Sequence, residues 1–261
     1  MYLIARTGPE PRQPEPQQPP KPTPLQMLRG FAVVSGGPIV LAKLSIWAPI
    51  AAARRWPNRL PKGPARNAAW ALTAAGVAFP GVYGAVIRPW LQNWGSTEAE
   101  RRRRYPGDAD GKPLFKVTRA VTVHAPAEEV WKWLVQIGED KGGFYSYDWL
   151  ENLAGCHVHS ADEIHPEWQH LKAGDKLVLI LGTGPNIASV DPPRSLAIEG
   201  WGAYVVEPID DTSCRLIARS HTDRGLSAIG YLLAMELPHA IMERKMMLGI
   251  KSRAEGTVRR A

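Results

Sequence analysis

The sequence predicts an α+β domain, an antiparallel sheet capped by one long closing helix, preceded by apolar segments of membrane-spanning length. Three patterns predict it. An alternating strand leads into an amphipathic helix over residues 115–138. A ladder of short apolar runs broken by turn residues fills 176–220. A helical pattern then runs from about 225 to 254.

The chain begins with a segment rich in Pro and Gln over residues 8–24, which has no apolar side chain to anchor a core. Residues 1–28 are therefore expected to be a disordered arm, and a proline-rich arm in this place excludes a secretory signal. A membrane region is expected over 29–92, with candidate spans 30–53 and 68–87. The second is 20 residues without a charge, about 30 Å of helix and thus the thickness of the hydrocarbon core. The first is interrupted by Lys43, Gly36-Gly37-Pro38 and Pro49. Trp47, Trp56, Trp70, Trp90 and Trp94 lie in or near the two stretches, as an interfacial aromatic belt would.

The whole chain carries a formal charge of +7, divided as +10 over residues 1–112 and −3 over the rest. The basic excess thus flanks the apolar stretches and points to a membrane surface. Zinc-finger spacing and a basic recognition helix are both absent, so no nucleic-acid partner is expected. Cys156 and Cys214 form neither a disulfide framework nor a Cys-x-x-Cys pair. Basic residues flank both ends of the spans almost equally, and the soluble domain is expected at the cytoplasmic side of the cell membrane.

Residues 93–112, which include the run Arg101 to Arg104, are expected as a linker, 113–254 as the soluble domain and 255–261 as a tail. In the first strand Phe115, Val117, Val121 and Val123 alternate with Lys116, Thr118 and Thr122, while Arg119 breaks the apolar face. Pro126 opens a helix with Ala127, Val130, Trp131 and Leu134 on one stripe, ending near Gly138. Strands are expected at 176–181, 187–191, 195–199, 203–207 and 214–220. Tight turns between them imply an antiparallel meander. The closing helix carries Leu226, Ile229, Leu233, Leu237 and Ile241 on one face, and Pro238 is expected to kink it. A sheet wrapped on that helix leaves room for a cavity between the layers.

These features resemble a known superfamily. The first strand running into Ala125-Pro126-Ala127-Glu128-Glu129-Val130-Trp131, then Pro192-Pro193-Arg194-Ser195-Leu196 and the strand with Arg215-Leu216, are similar to the START/Bet v 1-like (SRPBCC) superfamily. Asn93-Trp94-Gly95, Gly142 to Asn152, His159, Asp162, Ile164, Pro166-Glu167-Trp168-Gln169 and Gly174-Asp175 resemble a bacterial, membrane-associated branch of it. The resemblance covers roughly residues 93–250. It implies a helix-grip fold, a curved antiparallel sheet around a long C-terminal helix, and functions of the polyketide cyclase/dehydrase or lipid-transport type.

Candidate chemistry concentrates in the loop after the first helix. The glycines and aromatics of 142–152 suit a cavity mouth, where Tyr145, Asp148 and Trp149 are candidate ligand contacts. Arg119 could neutralise an acidic ligand head or form an internal salt bridge. Met235, Met242 and Met246 share a helical face and could line an adaptable apolar pocket or simply pack the core. His157, His159, Asp162, Glu163 and His165 form the densest polar run. Three readings compete for it: metal ligands, acid–base chemistry, or a hydrogen-bond network pinning the loop. This run lacks a convincing ligand set, so neither a metal nor a cofactor is expected. The catalytic candidates are His159, Asp162 and Tyr147.

The expected function is binding or shielding of a lipophilic small molecule (a lipid, an isoprenoid or a polyketide-like compound) by a membrane-tethered domain. A cyclase/dehydratase-type enzyme and a ligand-free membrane-anchored interaction module are the alternatives.

Overall fold

The structure is a computed structural model that describes residues 62–153, 155–225, 228, 230–232 and 235–260. The proline-rich arm, the candidate span 30–53, and Leu226, Ile229 and Leu233 of the closing face lie outside the described residues.

Among the described residues one helix, α1, runs Pro64–Asn93 and is long and apolar enough to cross a membrane. Pro64 starts it at a position where the missing N–H costs nothing. Its bonding widens to i→i+5 over Tyr83–Ile87, immediately before Pro89. That widened turn absorbs a ring which would otherwise clash with the carbonyl one turn earlier. A short helix, α2 (Glu98–Arg102), follows, closed by a reciprocal capping box between Thr97 and Glu100.

The sheet consists of β1 (Phe115–Val123), β2 (Ile187–Asp191), β3 (Ser195–Ile198), β4 (Gly202–Asp210) and β5 (Ser213–Thr222). Its order is β1-β5-β4-β3-β2 and each neighbouring pair is antiparallel. Thus β2 to β5 form the meander, and the first strand of the chain pairs with the last. Two helices, α3 (Ala127–Val135) and α4 (Asp148–Leu153), stand between β1 and the meander, and α5 (Glu236–Arg260) closes the fold. The protein is therefore α+β, with a five-stranded antiparallel sheet and a long C-terminal helix.

Three expectations change. Residues 176–181 do not form a sheet strand: they fold back on themselves through Leu177 N–H to Pro185 and Leu179 N–H to Thr183, at 2.9 and 2.8 Å. The Gly182-Thr183-Gly184-Pro185 turn brings the chain straight back onto these residues, so their N–H groups are satisfied locally. A Cβ at Gly184 would lie 1.8 Å from the Leu177 carbonyl oxygen. Pro238 sits in the first turn of α5, after helical residues 230–232 and a turn at Met235, so the helical pattern expected from 225 is interrupted beside it and restarts at Glu236. Pro126 is the N-cap of α3 and lies just outside its first turn.

Both faces of the sheet are buried. The inner face packs Val123, Leu196, Ile198, Val206 and Leu216 against α3 and α5. On the outer face Ala120, Ala197, Ala203, Val205 and Ile217 cluster with Tyr105. The cover on that side is the segment 93–112, expected as a linker. It lies across the strands as a strap, held by Arg215 to Glu100 at 2.8 Å and Arg219 to Asp108 at 2.8 Å.

Candidate functional site

The inner layer holds a row of polar side chains set by strand register. Arg119 on β1 pairs with Ala218 on β5, and Ala218 pairs with Tyr204 on β4. A small residue between two long ones leaves space above the sheet. Into it α5 lowers Glu243, which accepts from Arg119 Nη1 and from the Tyr204 hydroxyl at 3.3 Å. The Arg119 Nε donates to the Leu91 carbonyl at the end of α1, 2.6 Å away. Arg119 and Glu243 are 1% and 3% exposed, so the pair is isolated from water.

One turn before Glu243, His239 places Nε2 3.6 Å from Glu243 Oε1. Its Nδ1 is 2.6 Å from the Tyr231 hydroxyl. The indole of Trp201 closes the group, with ring centres 5.1 Å from Tyr204 and 6.0 Å from His239. Burial pushes the Glu243 carboxyl up, but the Arg119 guanidinium and then His239 outweigh it and hold the group at about 2. Burial first, and Glu243 second, raise the Tyr204 and Tyr231 phenols. The result is a fixed carboxylate–guanidinium pair flanked by two neutral phenols and an imidazole. Such a group can donate hydrogen bonds to a carbonyl or hydroxyl, or move a proton along Tyr231, His239 and Glu243.

A second ionic group ties α1 to this layer. Glu236, 4% exposed at the start of α5, accepts from Arg88 Nε at 2.8 Å and Gln92 Nε2 at 2.9 Å. Met242 and Met246 lie on the same side of α5 as His239, and Met235 immediately precedes the helix; Met246 is buried and the other two are half-buried.

Loop 142–152 is organised differently. Tyr145 is 1% exposed and takes a positive φ of 54°, a strained conformation for a side chain of its size. Its hydroxyl accepts from Gln136 Nε2 at 2.9 Å, its ring meets Trp133 edge-on, and the Arg253 guanidinium lies 4.6 Å from the ring centre. A Cβ at Gly249 would fall 2.3 Å from the Tyr145 carbonyl oxygen, so glycine lets α5 and the loop touch. Asp148 accepts from the Ser160 N–H and hydroxyl at 2.8 and 2.6 Å. Trp149 is 67% exposed, and Tyr147 is half-buried with Lys245 Nζ 6.0 Å from its ring centre.

The sequence-predicted catalytic residues are not brought together. His159 is exposed, Asp162 bonds Arg253 at 2.9 Å, and Tyr147 faces Lys245. The polar run 157–169 instead fastens the loop to α3 through Gln136, which also donates to the Glu163 carbonyl and accepts from the His165 N–H. Among the described residues no three His, Cys, Asp or Glu side chains converge as metal ligands. Burial raises both thiols, Cys156 to about 11 and Cys214 to about 12.

Of the candidates, Arg119 and Met246 are buried in the inner layer, Met235 and Met242 are half-buried, and Tyr145 and Asp148 bond within the fold. Sequence reasoning missed Glu243, His239, Tyr204 and Tyr231. A signal was present for the first two: with Met242 and Met246 they share one side of α5 at intervals of three and four. The tyrosines carry no comparable signal, because their role depends on strand register. No family model and no curated protein sequence matches the chain.

Proposed function

We propose that this chain is a membrane-tethered helix-grip protein of the START/Bet v 1-like superfamily that binds a lipophilic small molecule in its inner layer. The order of strand, helices, meander and closing helix supports the fold part of this reading. Seven large apolar side chains of α1, from Trp70 to Trp90, are between 44% and 73% exposed. At roughly 1.5–3 kcal/mol per buried side chain, leaving them in water costs on the order of 10 kcal/mol. That rivals the net stability of a domain, about 5–15 kcal/mol. Hydrocarbon around α1 removes the cost. Arg88 near the end of the helix and the run Arg101 to Arg104 beyond it put basic charge on the domain side. Arg54, Arg55, Arg59, Lys62 and Arg66 match it on the other, so the positive-inside rule sets no orientation.

One observation carries the binding reading. The apolar helix is locked to the domain beside its buried polar row, through Arg88 and Gln92 to Glu236 and through Leu91 to Arg119. A molecule drawn from the bilayer would therefore meet apolar surface first and then Tyr231, His239 and the Arg119–Glu243 pair, which suit its polar end. Native mass spectrometry of the full chain, extracted in mild detergent, tests this. A co-purifying species of discrete mass, diminished in Tyr231→Phe/His239→Leu, is expected. A uniformly ligand-free protein from several extraction conditions would overturn it.

Acid–base catalysis of cyclase or dehydratase type is a second reading. Its support is His239, bracketed by the Tyr231 hydroxyl and the Glu243 carboxylate. His159, Asp162 and Tyr147 have no such arrangement.

A further inference from the structure

The domain carries a face whose composition differs from the rest of its surface. Where α1 leaves its apolar stretch, Arg88 bonds Glu236 and lies 5.1 Å over the Phe115 ring. Those contacts bring the start of α5 and the start of β1 alongside the end of α1. Around this junction Trp90, Leu114, Leu237 and Ile241 are 55%, 44%, 37% and 44% exposed. Leu237 and Ile241 are spaced i, i+4 and share one helical face. The next turn of that face presents Arg244 and Lys245, both exposed, with the Arg244 guanidinium 4.7 Å from the Trp94 ring centre.

The acidic side chains complete the pattern. From residue 236 to 250 the only carboxylates are Glu236 and Glu243, and both are turned inward at 4% and 3% exposure. The outward face of α5 beside α1 is therefore apolar for one turn and cationic for the next. This is the order met on passing from acyl chains to anionic headgroups.

We infer that this face is a membrane-seating surface. Leu114, Leu237, Ile241 and Trp90 insert at the acyl–headgroup boundary, and Arg244 and Lys245 contact anionic headgroups. The inference rests on the reading of α1 as a span and goes beyond it. A tether alone leaves the domain free to tumble over the membrane. A seating surface fixes one orientation, with α5 and the neighbouring polar row turned to the lipid.

Nitroxide accessibility tests it on the full chain in vesicles of phosphatidylcholine and phosphatidylglycerol. Single labels go on Leu237→Cys, Ile241→Cys and Leu114→Cys, all exposed positions whose substitution leaves the core intact. Val77→Cys reports the span, and Ile209→Cys, on an exposed strand end, reports water. Both native cysteines are buried and are controlled by labelling the parent chain.

The expected result is an oxygen-over-nickel accessibility ratio at 114, 237 and 241 shifted toward that at 77. Lys245→Glu should move the label at 241 back toward the aqueous value, most clearly with phosphatidylglycerol present. Aqueous ratios at 114, 237 and 241 with a lipid ratio at 77 would overturn the seating surface and leave the tether standing. An aqueous ratio at 77 would remove the tether and the surface together.

Discussion

Arg119 shows how much one side chain can reveal through its place in a sequence pattern. An arginine on the apolar face of a strand is costly unless paired, so its position implies a partner. The partner, Glu243, lies 124 residues away in sequence, and nothing local announces it. Removing that carboxylate leaves a buried guanidinium unpaired. Glu243→Gln is accordingly expected to destabilise the fold by about 3–5 kcal/mol in chemical denaturation, while Arg119→Met/Glu243→Leu recovers most of the loss. Because the folded Glu243 value, about 2, lies below its ordinary 4.5, its contribution is complete above pH 4.5 and disappears as the pH falls toward 2. Glu151 has the opposite sign. It is 5% exposed, neither carboxyl oxygen has a partner among the described residues, and burial, then Asp148, raise it from 4.5 to about 7. Its contribution is complete below pH 4.5 and is lost as the pH rises through 7. Hydrogen exchange in 148–153 should therefore accelerate between pH 4.5 and 7 after correction for intrinsic rates and level off above, and Glu151→Gln should flatten that rise.

At the scale of elements, alternation and turn chemistry locate β1 and the four strands of the meander to within a few residues. The failure at 176–181 is instructive. Six residues that read Lys-Leu-Val-Leu-Ile-Leu look like a strand by composition, yet the following Gly-Thr-Gly-Pro turns the chain back before a sheet partner is reached. The strap at 93–112 is harder still to read, because four consecutive arginines resemble a solvated linker. Their backbone carbonyls do the holding: those of Arg101 and Arg103 accept from Arg219, which also grips Asp108 and is 0% exposed. Asp108→Ala should free the strap, expose the Arg101–Arg104 run to trypsin, and cost about 3–5 kcal/mol by leaving Arg219 buried without its anion. Unchanged cleavage there would show that the Arg215–Glu100 pair and the carbonyl contacts hold the strap without Asp108.

Across the whole molecule, α1 is part of the domain that it precedes. It supplies the Leu91 carbonyl to Arg119 and three donors, Tyr83, Arg88 and Gln92, to Glu236. A chain beginning at residue 95 loses these partners and is expected to unfold at a lower temperature than the full chain in the same detergent. The loss should reflect about 1–3 kcal/mol for each buried group left unsatisfied. Sequence alone determined the α+β class, the apolar helix, most of the strands and the long closing helix, because these follow from short-range periodicity and turn residues. It also marked Arg119 as anomalous. Only the tertiary structure decided that Tyr204, Glu243, His239 and Tyr231 meet above Ala218, that the arginine-rich segment covers the outer face of the sheet, and that Tyr145 belongs to the core. Those outcomes depend on strand register and on contacts between distant segments, where each side chain's environment is set by partners that no local pattern encodes.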